Sequence, residues 1–407
     1  MDPHAWETIV RSELNRLQQS HLYRHRRIVH PIDATHVELD GRRLVNFASN
    51  NYLGLTHHPK VVGAIRDAVE RDGAGSGAAP LITGYSPAHA SAERAIATWK
   101  QTGAAVLLPS GYQANLAALQ TLWAAAELGG GGVRFLVDKL SHASLIDAVR
   151  GAAPAGRGEQ GGSHAFRIFP HNDMTKLRRL LHEANPAQTQ VVVTESIFSM
   201  DGDAADLSRL AELKREFPFL LLLDEAHGSG VYGADGRGLA AERGMAALPD
   251  VVVVTFSKAL GCIGGAVCAS EAFCELLENV ARPFIYSTAP PSSVAAAAEA
   301  ALGVLRDEPA RQHRVRSLAL RARHELTAAG LSLPQGDSPI LPILLGAEQA
   351  ALLAAKRMQD DGLLVLPIRP PTVPRGSSRL RITLSCEHSD DEVRQLLRSV
   401  ASAAGAT

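Results

Sequence analysis

Residues 219–228 read Phe-Leu-Leu-Leu-Leu-Asp-Glu-Ala-His-Gly, an unbroken apolar run that stops on an aspartate. A strand apolar on both faces belongs to a parallel sheet covered by helices on each side. Three further runs repeat the design: Arg134–Asp138 (RFLVD), Gln190–Glu195 (QVVVTE) and Val251–Thr255 (VVVVT). Each ends on a polar group, namely Asp138, Glu195, Asp224, and Thr255 leading to Lys258. In open α/β sheets the ligand sits outside these carboxyl ends. The gathering of Asp, Glu, His, Ser, Thr and Lys at the exits therefore reads as a site.

Working outward, the pattern divides the chain into three stretches. Residues 1–50 carry a helix-like segment (Trp6–Ser20), a basic cluster at Arg24, Arg26 and Arg27, and two short strands around an Asp40-Gly41 hairpin turn. Residues 51–287 alternate helical and strand patterns and form the large α/β domain with a mostly parallel central sheet. Residues 288–407 hold helices at 292–305 and 311–329, short strands near 340–345 and 379–384, and a last helix from Asp390 capped by Ser389. This last stretch is expected to be a smaller α+β domain. Gly151–Ser163 is a Gly/Ala-rich stretch expected to be a surface insertion.

Composition narrows the function classes. The 407 residues are 46% hydrophobic and 20% charged with a net charge of −1, which excludes a disordered chain and gives no broad electrostatic reason to bind nucleic acid or an anionic membrane. No apolar run reaches the length of about 18 residues that a membrane helix needs, and Met1–Arg11 has no apolar signal core. The 4 cysteines are too few for a disulfide framework, and their spacing matches no zinc pattern. A reduced cytoplasmic compartment and no metal are expected. Only 7 of the 41 basic residues are lysines, so a lysine in a special context is informative.

Lys258 is such a lysine. It follows Thr255-Phe256-Ser257 at the end of the VVVV strand, an arrangement that suits a Schiff-base lysine beside a bound phosphate. Asp224 at a strand tip can pair with a protonated pyridine nitrogen, and His227 can reach the ring's phenolic oxygen. The tetrapeptide Asp224-Glu225-Ala226-His227 also occurs in nucleoside-triphosphate-driven helicases, but the phosphate-binding loop those enzymes need is absent from the sequence. Ser110-Gly111-Tyr112 opens a helix, where backbone N–H groups can meet a phosphate and Tyr112 can lie near the ring. His142 in Ser141-His142-Ala143-Ser144 is placed to stack on a flat ring, and Ser199 can reach the ring hydroxyl. Gly73–Gly77 lacks dinucleotide-fingerprint spacing. Ile368–Pro374 (IRPPTVP) reads as a stiff polyproline-like segment. In Arg379-Leu380-Arg381 a strand-held guanidinium suits a carboxylate, with solvent-facing charge as the other reading for Arg379.

Taken in order, SNNYLGL (49–55), the SHASL histidine, HND (171–173), FSMDGD (198–203), DEAHG, Lys258 after TFS, IYST (285–288) and RPPTVP…RLRITL closely resemble the α-oxoamine synthases. These are pyridoxal-phosphate enzymes of the aspartate-aminotransferase fold type, fold type I, and the likeness runs from about residue 6 to 400. The resemblance implies that Lys258 carries pyridoxal 5'-phosphate as a Schiff base and handles the α-proton. It places Asp224 on the pyridine nitrogen, His142 on the ring face, and His227 and Ser199 on the ring hydroxyl. Gly111, Tyr112 and Thr255 line the cofactor, and Thr288 comes from the other subunit of a homodimer whose active site lies at the subunit interface. Asn50 and Arg381 hold the amino-acid carboxylate. Arg24 and Thr372 match positions for the acyl substrate, with Arg369 a candidate for the same pocket. The IRPPTVP block favours the members that join L-alanine to pimeloyl-CoA or a pimeloyl-carrier protein. Members that use glycine or serine with another acyl-CoA are the alternative. The block TFSKALG and the residues Ala78–Leu81 depart from the pattern expected of those alanine-using members, and neither departure touches Asp224, His227 or Lys258.

Overall fold

The computed structural model describes residues 3–151 and 165–404. The expected insertion at 151–163 lies, apart from Gly151, outside the described residues. Two compact units emerge. The larger comprises residues 50–199 and 203–315, and the smaller comprises 1–49, 200–202 and 316–407.

The larger unit is built on a seven-stranded sheet. From edge to edge its strands are Ala104–Leu108, Gly265–Ala269, Val251–Thr255, Leu220–Asp224, Thr189–Glu195, Val133–Asp138 and Ala165–Phe169. Gly265–Ala269 runs antiparallel to both of its neighbours, and every other pairing is parallel. The four runs expected to be doubly buried strands are strands of this sheet, and Val251–Thr255 is buried at every position. Each fully buried Val or Leu side chain is worth roughly 1.5–3 kcal/mol. The helix Gly111–Leu128 lies against the sheet through Ala114, Ala117 and Ala118, whose small side chains allow a close approach. Ser110 starts that helix by accepting the Gln113 N–H at 3.2 Å.

The smaller unit joins the two ends of the chain. His36–Leu39 and Arg42–Asn46 form the expected hairpin, with Asp40 (φ 54°) and Gly41 (φ 71°) both left-handed as a primed turn requires. Arg42–Asn46 then pairs in parallel with Leu363–Leu364, over 300 positions away. That pairing, and the bonds from Thr383 to the carbonyls of Phe47 and Ser49, make the first and last stretches one unit. The three stretches read from the sequence therefore become two units, and the boundary falls at 315/316, inside the helix Ala310–Ala328, instead of at 287/288. The last helix begins at Asp390, with Ser389 and Glu392 bonding reciprocally as a capping box. Ile368–Pro374 differs from the expected extended segment: the strand Leu366–Ile368 runs into a turn closed by the Thr372 N–H on the Arg369 carbonyl.

One ion triad ties the exits of the large sheet together. His171 lies 3.0 Å from Asp138 Oδ1 through Nδ1 and 2.7 Å from Asp203 Oδ2 through Nε2. Burial works against a charged ring, but the hydrogen bonds and charges of the two aspartates outweigh it and raise the imidazole to about 10. A raised folded-state pKa means the stabilisation is complete below the ordinary histidine value and is lost as pH climbs through about 10. Urea unfolding of wild type and His171→Gln should differ by about 2 kcal/mol at pH 6, allowing for partial solvent screening, and converge towards pH 10. A pH-independent difference would refute a charged His171.

Candidate active site

The carboxyl ends of the strands open onto a cavity of about 250 Å³ in the larger unit. Asp224 closes the strand Leu220–Asp224 and is 4% exposed. A carboxylate buried so deeply needs donors, and it has one on each oxygen. Ala226 N–H donates to Oδ1 at 2.8 Å and Asn115 Nδ2 to Oδ2 at 2.8 Å. Glu195 stands directly opposite Asp224 in the register of the two parallel strands. Burial, reinforced by the charge of Asp224 and opposed by Lys258 and the His142 N–H, pushes the Glu195 carboxyl well above its ordinary value.

His142 lies at the exit of the strand Val133–Asp138, and its backbone N–H donates to Glu195 Oε1. Its Nδ1 accepts the Ser144 N–H at 3.2 Å and lies 2.8 Å from Ser144 Oγ. A nitrogen that accepts a backbone N–H carries no hydrogen, so the neutral ring holds its proton on Nε2. Burial keeps His142 below its ordinary value, with Asp224 opposing and Lys258 reinforcing that shift. The ring faces the cavity neutral.

Lys258 follows the strand Val251–Thr255 in a turn closed by Phe256 N–H on Gly264 O and Gly261 N–H on Lys258 O. Its Nζ lies 2.8 Å from His227 Nε2. On the far side of that imidazole, Nδ1 is 2.7 Å from the hydroxyl of the fully buried Tyr52, which donates to Asn50 Oδ1 at 3.2 Å. With the single hydroxyl hydrogen on Asn50, His227 donates from Nδ1 and offers its Nε2 lone pair to the amine. His227 is aimed this way because residues 225–229 form a tight turn, with the N–H groups of Gly228 and Ser229 both on the Glu225 carbonyl. The buried Glu225 side chain anchors the following loop by accepting from Ser196 Oγ, Leu239 N and Ala240 N.

Beside Lys258, Thr255 Oγ1 and Ser257 Oγ lie 2.9 Å apart at the wall formed by the N-terminus of the helix Gly111–Leu128. A Cβ at position 111 would come within 2.9 Å of Thr255 Cβ, so only glycine permits this approach. Tyr112 is at the mouth, half-exposed and donating to Asp147 Oδ2 at 2.6 Å.

Of the residues singled out from the sequence, Gly111, Tyr112, His142, Asp224, Thr255 and Lys258 line this one cavity. His227 reaches it through Lys258. Ser199 is buried but not part of the lining, and Thr288 is exposed and outside it. Asn115, Tyr52 and the anchoring role of Glu225 were missed. Asn115 was accessible by spacing, since it lies one turn after Gly111 on the same helical face. Tyr52 and Glu225 act through long-range partners that no local pattern reveals.

In the smaller unit, Arg24, Arg369 and Thr372 line a second cavity of about 600 Å³, together with Arg27, Lys356, Leu352, Val365 and Ile368. Arg24 donates to the carbonyls of Arg369 and Pro370, and Arg369 donates to that of His21. Arg369 Nε is buried with no hydrogen-bond partner among the described residues. Burial first, and the charge of Arg24 second, pull the Arg369 guanidinium below its ordinary value. Arg381 is buried in the strand Ser378–Thr383. Arg379 is buried as well, paired with Asp201, which removes the solvent-facing reading. Its strand is buried at every position, so neither face is open.

Among the described residues, no cluster of three or more His, Cys, Asp or Glu side chains is arranged to hold a metal, and no helix is long and apolar enough to cross a membrane. The model of the aminotransferase class I and II family matches residues 42–400. An 8-amino-7-oxononanoate synthase from Methylococcus capsulatus is 41% identical over 96% of this chain and 97% of its own length. Its counterpart from Nitrosococcus oceani is 40% identical over 95% and 99%. Among solved structures, a serine palmitoyltransferase from S. paucimobilis with bound PLP and myriocin superposes with a TM-score of 0.89 at 28% identity, covering 100% of this chain and 99% of that one. The 8-amino-7-oxononanoate synthase from Francisella tularensis gives 0.73 at 26% identity, covering 88% and 97%. The chain belongs to the class I and II aminotransferase family and, within it, to the α-oxoamine synthases.

Proposed function

We propose that this chain condenses L-alanine with a pimeloyl thioester, releasing CO₂ and the free thiol and yielding 8-amino-7-oxononanoate, with pyridoxal phosphate as cofactor. The observation that carries the reading is the convergence of the Lys258 amine, the buried Asp224 carboxylate and the neutral His142 ring at one cavity. The donor set fits the cofactor. Asp224 suits a protonated ring nitrogen, and Lys258 suits an aldehyde. The backbone N–H groups at the Gly111 helix start, with Thr255 and Ser257 beside them, suit a phosphate. When bound, pyridoxal phosphate supplies an electron sink that stabilises negative charge at the amino-acid α-carbon.

The chain's own residues do the rest. Asp224 keeps the ring nitrogen protonated, and His142 offers a flat uncharged face. Lys258 Nζ takes the α-proton and later returns one, held in place by the His227–Tyr52–Asn50 chain. Ser199 is assigned to the ring hydroxyl. Arg381 is assigned to the amino-acid carboxylate, for which a fixed guanidinium fork is the natural receptor. A pimeloyl group is a methylene chain ending in a carboxylate. The cavity of Arg24, Arg369 and Thr372 matches it with aliphatic walls and cations. The working form is a homodimer that donates Thr288 across the interface. Exposed Ile82 and Tyr286 support this, since the turn Pro80–Gly84 packs beside the helix Arg282–Ile285.

Thiol release should be measured with alanine, glycine and serine crossed with pimeloyl-, acetyl-, succinyl- and palmitoyl-CoA and a pimeloyl-carrier protein. Preference for alanine with a pimeloyl donor is expected. The close superposition with serine palmitoyltransferase makes serine with palmitoyl-CoA the outcome that would overturn the substrate assignment. Lys258→Ala should lower turnover by at least ~10³-fold and abolish the long-wavelength absorbance of the bound cofactor. Arg369→Leu should raise the KM for the acyl donor about tenfold while kcat stays within about threefold. An unchanged KM would remove Arg369 from the acyl pocket.

A further inference from the structure

Asn115 lines the cavity at 2% exposure and stands between two groups that face it. One Nδ2 hydrogen goes to Asp224 Oδ2 at 2.8 Å and the other to Ser144 Oγ at 2.9 Å. The orientation of the amide is unambiguous, because its oxygen could not sit against a carboxylate. Ser144 Oγ, its lone pair used by Asn115, turns its own hydrogen to His142 Nδ1 at 2.8 Å. The result is one directional chain, Asn115 donating to Asp224 on one side and, through Ser144, to His142 on the other. Asn115 Oδ1 has no hydrogen-bond partner among the described residues, so the side chain is held by its donors alone. An amide buried at a helix start with an unmet acceptor is a cost, which fits a residue kept for what its N–H groups do.

We propose that Asn115 is the positioning residue that couples Asp224 to His142, holding the carboxylate towards the cofactor's ring nitrogen and, through Ser144 Oγ, bracing the imidazole at Nδ1. The inference rests on the pyridoxal-phosphate activity proposed above. Other groups also stand around Asp224: Glu195 on the adjacent strand, His142 from its turn, and Lys258 in the same cavity lining. All three can change charge, and Asn115 cannot.

Removing Asn115 takes away the amide donor that holds Asp224 Oδ2 in place. In Asn115→Ala the affinity for pyridoxal phosphate, titrated by absorbance, should fall about tenfold. The isosteric Asn115→Asp should be worse than alanine, because it sets a second carboxyl against Asp224. Ser144→Ala should leave that affinity nearly unchanged, since it cuts only the branch to His142. In apoprotein, the His142 titration, followed by histidine NMR and assigned with His142→Gln, should move upward in both Asn115→Ala and Ser144→Ala. Circular dichroism and Tm of each apoprotein report whether it folds. An Asn115→Asp protein that binds cofactor like wild type would show that position 115 serves packing alone, and an unmoved His142 titration would break the coupling. If wild type takes up no pyridoxal phosphate, the proposed activity falls, and the apoprotein titration still decides the role of Asn115.

Discussion

A carboxylate buried at the tip of the central strand costs several kcal/mol unless its oxygens are met by donors. Asp224 sets that condition, and much of the site is its solution. Ala226 N–H and Asn115 Nδ2 cover one oxygen each. Burial and the charge of Asp224 push the carboxyl of the neighbouring Glu195 well above its ordinary value. His142 remains neutral in the same surroundings. A buried carboxylate, an uncharged ring and an amine thus line one small cavity. That is the electrostatic pattern needed to hold a cationic ring and move a proton next to it.

The loops that carry these groups are held by buried polar side chains. Glu225 anchors the segment up to Ala240, and His171 joins two strand exits through paired aspartates. Lys100 reaches Ser229 Oγ at 2.8 Å and the Arg237 carbonyl, and burial lowers its pKa. Because every such contact is directional, the loops have little freedom to shift without exposing an unmet polar atom. Rigidity at the strand ends keeps Lys258, His227 and Asp224 at hydrogen-bond precision.

Legibility in the sequence followed the range of the interaction. The doubly buried strands, the Asp40-Gly41 turn and the Ser389 cap depend on near neighbours in the chain, and their patterns were visible. So was Lys258, because lysine is scarce here and this one follows a buried strand. The joining of the two chain ends was not visible, since Arg42–Asn46 meets Leu363–Leu364 only in the folded molecule. Arg379 stayed open for the same reason. Alternation allowed a solvent-facing side chain, whereas the strand is buried at every position and the guanidinium is paired with Asp201.

By itself the sequence determined the four doubly buried strands, the polar residues at their exits and the family to which their order belongs, because each rests on local pattern and residue identity. Only the tertiary structure decided the upward shift of Glu195, the neutral state and tautomer of His142 and the partners of Asn115 and Tyr52. Those depend on burial and on donors brought from distant parts of the chain, and neither quantity exists until the chain has folded.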